Sequence, residues 1–140
     1  MTNTLLANWF GRQLADWLPH PEIARLYGLT INDADLVRDG RDGAARFIAI
    51  ADGDPYELLA GPARLVADNY DAIALVALGW LHRHDSTGKS LTTVVVVTMM
   101  SEHAGPAFYV WDPTTGQRTE VGEAAGALAA AARRHRGVAA

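Results

Sequence analysis

Apolar positions in the first half of the chain recur at intervals of three and four residues, the spacing of amphipathic helices. The first such stretch ends at Pro19, and proline stops a helix because it lacks a backbone N–H. Asp54, Pro55 and Glu57 form a capping box with proline at the first helical position. Helices are therefore predicted over residues 2–18, 21–27, 32–51 and 55–69, the last kinked or divided at Pro62.

After Tyr70 the pattern changes to apolar, β-branched and aromatic runs separated by Gly, Pro and polar residues. Strands are predicted over residues 71–82, 91–101 and 107–112, with a short return strand before 122. Residues 122–137 are rich in alanine and end in basic residues, a pattern typical of a helix. The predicted fold class is α+β in one domain, residues 1–140, with N-terminal helices, an antiparallel meander of three or four strands, and a C-terminal helix.

The two central predicted strands are apolar on both faces, and Val94 to Val97 fill both faces of the second. A sheet of this kind needs cover on each side, because a bare face would expose a large apolar patch. The N-terminal helices can cover one face. The alanine-rich C-terminal helix buries little area per side chain, so we expect a second subunit to complete the other face in a homodimer.

Composition and charge exclude several classes of function. The chain of 140 residues has no cysteine, which excludes disulfides, thiolate catalysis and Cys-ligated metal centres. Its net charge of −4 gives no general attraction for nucleic acid or anionic lipid. No basic leader or membrane-length apolar run is found, so we expect a cytoplasmic protein. Abundant alanine, with arginine at all but one basic position, indicates a high-GC bacterium, such as an actinobacterium, or its phage.

The strongest candidate for a catalytic or metal-binding site is "GWLHRHDSTG", residues 79–88. His82 and His84 share one face of an extended strand, so with Asp85 they are a possible metal site of a small hydrolase. "GWLHRH" resembles part of the zinc signature of the JAMM metalloprotease family. The acidic ligand of that family falls here in "LTTVVVV", which has no carboxylate, so we favour the polar tip of a hairpin over a metal site.

Residues 21–39 resemble a helix-turn-helix unit in the spacing of Ala24, Gly28 and Val37. A DNA-binding regulator is therefore one alternative function. The second helix of such a unit would be acidic, and DNA phosphates repel acidic residues. We accordingly expect no useful affinity for duplex DNA.

Aromatic residues near the N-terminus are candidates for protein binding, because aromatic side chains dominate interface hot spots. Trp9, Phe10 and Trp17 lie at helical spacing and belong either to the core or to an interface. Gly122 and Gly126 allow another helix to approach closely, within the chain or across a dimer seam.

These observations favour a non-catalytic interaction or regulatory protein that self-associates. The alternatives are the DNA-binding regulator at 21–39 and the metal-dependent hydrolase at 82–85. No cofactor is expected, the expected partner is a protein or a second copy of the chain, and no membrane association is expected.

The hairpin interpretation predicts that replacing His82 and His84 together with alanine changes the free energy of unfolding by no more than about 0.5 kcal/mol, as for most surface positions. Thermal unfolding and metal analysis of the purified protein test this. Stoichiometric zinc that disappears in the double variant, together with a large fall in melting temperature, would contradict it.

Overall fold

The fold was determined from a computed structural model, which describes residues 2–14, 23–85, 88–101, 104–116 and 118–121. The architecture is α+β, with an antiparallel sheet and short helices on both of its faces. The predicted class is therefore confirmed. The number of strands and the placement of the helices differ from the prediction. The predicted C-terminal helix, residues 122–137, lies outside the described residues.

Capping side chains define where the helices begin. Thr2 accepts a hydrogen bond from the backbone N–H of Leu5 at the start of the first helix. Asp54 accepts from Tyr56 and Glu57, so the predicted aspartate cap is confirmed. The helices are α1 (Asn3–Gln13), α2 (Ala34–Arg38), α3 (Pro55–Ala60) and α4 (Pro62–Val66), and a 3-10 turn, Ala67–Asn69, follows α4.

The sheet has six described strands, not three or four, in the order β2-β1-β3-β4-β5-β6. All neighbouring strands are antiparallel. The last four follow one another as the predicted meander, whereas β1 and β2 add a second hairpin beside β3. The strands are β1 (Ala24–Ile31), β2 (Ala45–Gly53), β3 (Ala72–Asp85), β4 (Gly88–Ser101), β5 (Ala104–Trp111) and β6 (Arg118–Val121).

The predictions of helices over 21–27 and 32–51 were wrong for residues 24–27 and 45–51, which lie in β1 and β2. Within the second stretch only the five residues of α2 are helical. Both faces of β1 are buried, with Leu26 on one and Tyr27 and Leu29 on the other. A strand covered on both faces lacks the alternation that distinguishes it from a helix. In the second stretch, Gly40 and Gly43 adopt positive φ angles of 70° and 78°, which end α2 and start a new strand.

The same finding corrects the helix-turn-helix interpretation of residues 21–39. Ala24 and Gly28 lie in the strand β1, and Val37 is a buried residue of the five-residue helix α2. Two packed helices are therefore not present over the described part of this segment. The spacing was misleading because strand residues buried on both faces also place apolar side chains three and four positions apart.

One face of the sheet is covered by α1 and α2. This first core extends from β2 across to β5 and includes the aromatic rings of Tyr27, Tyr109 and Trp111 from the strands. The helices and the residue that caps α1, Leu14, contribute mostly large apolar side chains to it: Leu6, Trp9, Phe10, Leu14 and Val37.

The opposite face of β1 and β3 is covered by α3 and α4, through Leu58, Leu59 and Ala63. Tyr70 lies over Gly28, where a side chain on the glycine would come within 2.6 Å of the ring. Helices from the first half of the chain are thus divided between both faces. Part of the cover that was expected from the C-terminal helix or a second subunit comes from α3 and α4.

A close contact between α1 and β5 yields a test of this packing. A methyl group placed on Gly11 would overlap the body of the Tyr109 ring. Gly11→Ala should therefore lower the free energy of unfolding by about 1–3 kcal/mol, as overpacked cores do, although alanine favours helices. Chemical denaturation measures the change, with Gln13→Ala on the same helix as the control. A Gly11→Ala variant as stable as the control would show that α1 is not seated on Tyr109.

Candidate functional site: the exposed edge of β2

The strand β2 is the outermost strand at one end of the sheet, and among the described strands it pairs only with β1. An outer strand directs backbone N–H and C=O groups away from the sheet, where another strand can bind them. Four successive side chains, residues 46–49, are exposed, and Ile50 is partly buried. Residues 46–50 are named the β2 edge below.

The apolar side chains of the β2 edge are exposed on both faces of the sheet. Phe47 points to the face covered by α1, and 39% of its surface is still accessible. Ile48 pairs with Gly28 and points to the opposite face, with 58% accessible. The β2 edge therefore presents an apolar rim on either side of one line of backbone hydrogen-bonding groups.

The β2 edge has few of the features that usually prevent an outer strand from pairing with other chains. Natural proteins guard such strands with proline, lysine or other charged residues, and with bulges. The β2 edge contains no proline or lysine and carries one charge, Arg46. The β1–β2 pairing has one register shift, opposite Leu26 and Tyr27, so residues 45–49 stay in regular pairing.

Aromatic contacts hold the β2 edge in position. The ring of Phe47 meets Trp9, Phe10 and Tyr27 edge-on, at centroid distances of 6.3, 5.1 and 6.0 Å. The indole N–H of Trp9 also donates a 2.8 Å hydrogen bond to the carbonyl of Arg41, just before β2. The helix α1 thus contacts both the segment before β2 and Phe47 within it.

An ion pair ties the far end of β2 to β1. Arg25 Nε donates to Asp52 Oδ1 at 2.7 Å, and Arg25 Nη2 donates to Oδ2 at 3.1 Å. These hydrogen bonds lower the pKa of the Asp52 carboxyl and raise the pKa of Arg25. Both side chains are partly exposed, so the pair mainly sets the register of the two strands and adds little stability.

The structure buries two of the predicted interaction residues inside this chain. Trp9 and Phe10 expose 1% and 0% of their surfaces and belong to the first core. Their direct contact with a partner stays a prediction. Trp17, Gly122 and Gly126 lie outside the described residues.

His82, His84 and Asp85 form the last part of β3, where the backbone is still paired with β4. His82 pairs with Leu91, His84 with Lys89, and Asp85 with Gly88. No cluster of three or more His, Asp or Glu residues that could hold a metal ion was found among the residues described. Metal binding by the hairpin is decided by the double-alanine experiment given above.

The β2 edge was missed from the sequence because its residues were assigned to a helix. "RFIAI" contains three β-branched or aromatic residues in five, which favours a strand. The turn residues Gly40 and Gly43 shortly before it were a further signal. Its position at the outside of the sheet depends on which strands pair, and local sequence does not encode that order.

Compared with known proteins, the chain matches no family model, no curated protein and no solved structure. None of the helices in the described ranges has the length and apolar character required to cross a membrane.

The ion pair predicts a pH-dependent contribution to stability. The pKa of Asp52 is lower in the folded chain than in the unfolded one. The pair therefore stabilises the fold above the unfolded-state pKa, about 4, and loses this effect as the pH falls through the folded-state pKa. Asp52→Asn should cost less than about 1 kcal/mol at pH 7 and nothing in strong acid.

Urea denaturation at both pH values measures that difference, with the exposed Asp68→Asn as the control. A cost of Asp52→Asn that is the same in acid as at neutral pH would show that the carboxylate charge is not involved.

Proposed function

We propose that the protein is a non-catalytic interaction protein that binds an extended polypeptide segment along the β2 edge. The observation that supports this is the exposure of Phe47 and Ile48 on opposite faces of a single outer strand. Proteins that bind peptides by adding a strand to a sheet use main-chain hydrogen bonds for affinity and alternate side chains for specificity. The β2 edge offers both.

The position of the apolar side chains favours a strand over a helix as the bound element. A helix lying on one face would cover either Phe47 or Ile48 and leave the other in water. A strand added beside β2 lies in the plane of the sheet, so its alternating side chains cover both. The expected ligand is an extended segment with apolar residues on each of its faces.

The β2 edge is held in position by contacts within the chain, and ordering before binding lowers the entropic cost of association. Phe47 is held by three aromatic rings, and the ends of β2 are fixed by Trp9 and by the Arg25–Asp52 pair. Each main-chain hydrogen bond gained contributes about 0.5–1.5 kcal/mol net. A segment of five residues with partial burial of Phe47 and Ile48 therefore suits a weak or moderate affinity.

The two alternative functions have less support. DNA binding required two packed helices over residues 21–39. The strand β1 occupies part of that segment, so the support for this function is lost. A hydrolase at His82, His84 and Asp85 stays a separate prediction, and bound metal in the purified protein would favour it.

Selection of random displayed peptides on the purified protein tests peptide binding directly. Peptides recovered from the selection should bind Ile48→Lys at least tenfold more weakly, about 1.4 kcal/mol, because lysine places a charge in the apolar rim. The matched control is Leu65→Lys on α4, since Leu65 is even more exposed, at 83%, but lies on no strand. Its affinity should stay within about twofold of the wild type.

Circular dichroism of both variants establishes that the fold is retained. Peptides that bind Ile48→Lys and the wild type equally well would contradict binding at the β2 edge.

A further inference from the structure

We infer that the segment bound at the β2 edge is the β2 edge of a second copy of this chain. The two strands pair antiparallel about a two-fold axis, so that two sheets, each with six described strands, join into one continuous sheet. This inference rests on the proposed function, because it names the partner for the same site. It also assigns the predicted homodimer to a different surface from Gly122 and Gly126.

The side chains of the β2 edge are complementary to themselves in this arrangement. A two-fold axis normal to the sheet places each residue opposite one that points to the same face, so the axis lies between one residue and its own copy. An axis at Phe47 or at Ile48 centres the pairing on the exposed apolar side chains. With the axis at Ile48, Phe47 lies opposite Ala49 of the other copy. The small alanine leaves room for the large phenylalanine ring. With the axis at Phe47, the two Phe47 rings meet and extend the aromatic cluster of each copy.

Charge also favours pairing of two copies. Like charges directly opposite each other destabilise a strand pair. The single charge of the β2 edge, Arg46, lies opposite Ile50 or Ile48 in the two arrangements and never opposite its own copy. Asp52, just beyond the β2 edge, is already neutralised by Arg25. No charge in the β2 edge therefore opposes association, although each copy has a net charge of −4.

The regular part of β2 is long enough for an axis at Phe47, whereas an axis at Ile48 extends the pairing to Ile50, at the register shift. Residues 45–49 pair with β1 without interruption, and the register shifts only beyond Ala49. An axis at Phe47 uses residues 45–49, and an axis at Ile48 uses residues 46–50. Antiparallel pairing through β2 also covers this outer strand in each copy, so its backbone groups no longer offer a template to other chains.

Single-cysteine variants test the pairing against a clean background, because the natural chain contains no cysteine. Residues at the axis approach their own copies closely enough for a disulfide after modest adjustment. Under mild oxidation, Ile48→Cys or Phe47→Cys should form a covalent dimer at least tenfold faster than Leu65→Cys, the more exposed control.

Mixtures of two variants locate the axis. Phe47→Cys mixed with Ala49→Cys cross-links if the axis is at Ile48, and Arg46→Cys mixed with Ile48→Cys cross-links if it is at Phe47. Either result supports the inference. Equal rates for Ile48→Cys, Phe47→Cys and Leu65→Cys would overturn it.

Light scattering on the cysteine-free protein gives an independent measure. The wild type and Leu65→Lys should reach twice the chain mass of 15.0 kDa as concentration rises, and Ile48→Lys should stay at 15.0 kDa. A wild type that stays at 15.0 kDa throughout, or a dimer that persists in Ile48→Lys, overturns pairing through β2. Displayed peptides that still require Ile48 would then leave the proposed function standing with a different partner.

Discussion

The position of the β2 edge depends on the aromatic contact between α1 and the β1–β2 hairpin. The ring of Phe10 lies 5.2 Å from Tyr27 and 5.1 Å from Phe47, and Trp9 packs beside it. An outer strand has backbone pairing on one side only, so side-chain contacts must also hold it in place. Here α1 makes those contacts with β2, and the same helix packs on β4 and β5.

Division of the helices between the two faces explains how a chain of 140 residues covers a wide sheet. Residues before β1 pack on one face, and residues between β2 and β3 pack on the other. Each connection therefore contributes to the core as well as joining strands. Among the described residues, the helices pack on the faces of the sheet, and no strand pairs with the outer side of β2.

The sequence predicted the elements whose signals are local. The cap at Asp54, the break at Pro62 and the β-branched run Val94–Val97 each determine structure within a few residues, and each was assigned correctly. The strand β1 was assigned incorrectly because its burial on both faces comes from α1 and Tyr70, which are distant in the sequence. The candidate site at Phe47 and Ile48 was missed because its residues were assigned to a helix, and because the order of the strands, which decides which strand is outermost, is not encoded locally.

Folding kinetics follow from the place of β1 between β2 and β3. The β3–β4 hairpin joins adjacent segments, whereas β1 reaches β3 across a long loop, and Ile31 and Asp71, joined by a hydrogen bond, are 40 positions apart. Long-range pairing of this kind forms slowly, because closing the intervening segment costs conformational entropy before the strand contacts that stabilise it can form. Until β1 pairs with β3, the backbone groups of Ala72–Val76 on that side of β3 are open to other chains. Newly made protein is therefore most prone to aggregate in that interval, and slower synthesis at low temperature favours its recovery in folded form.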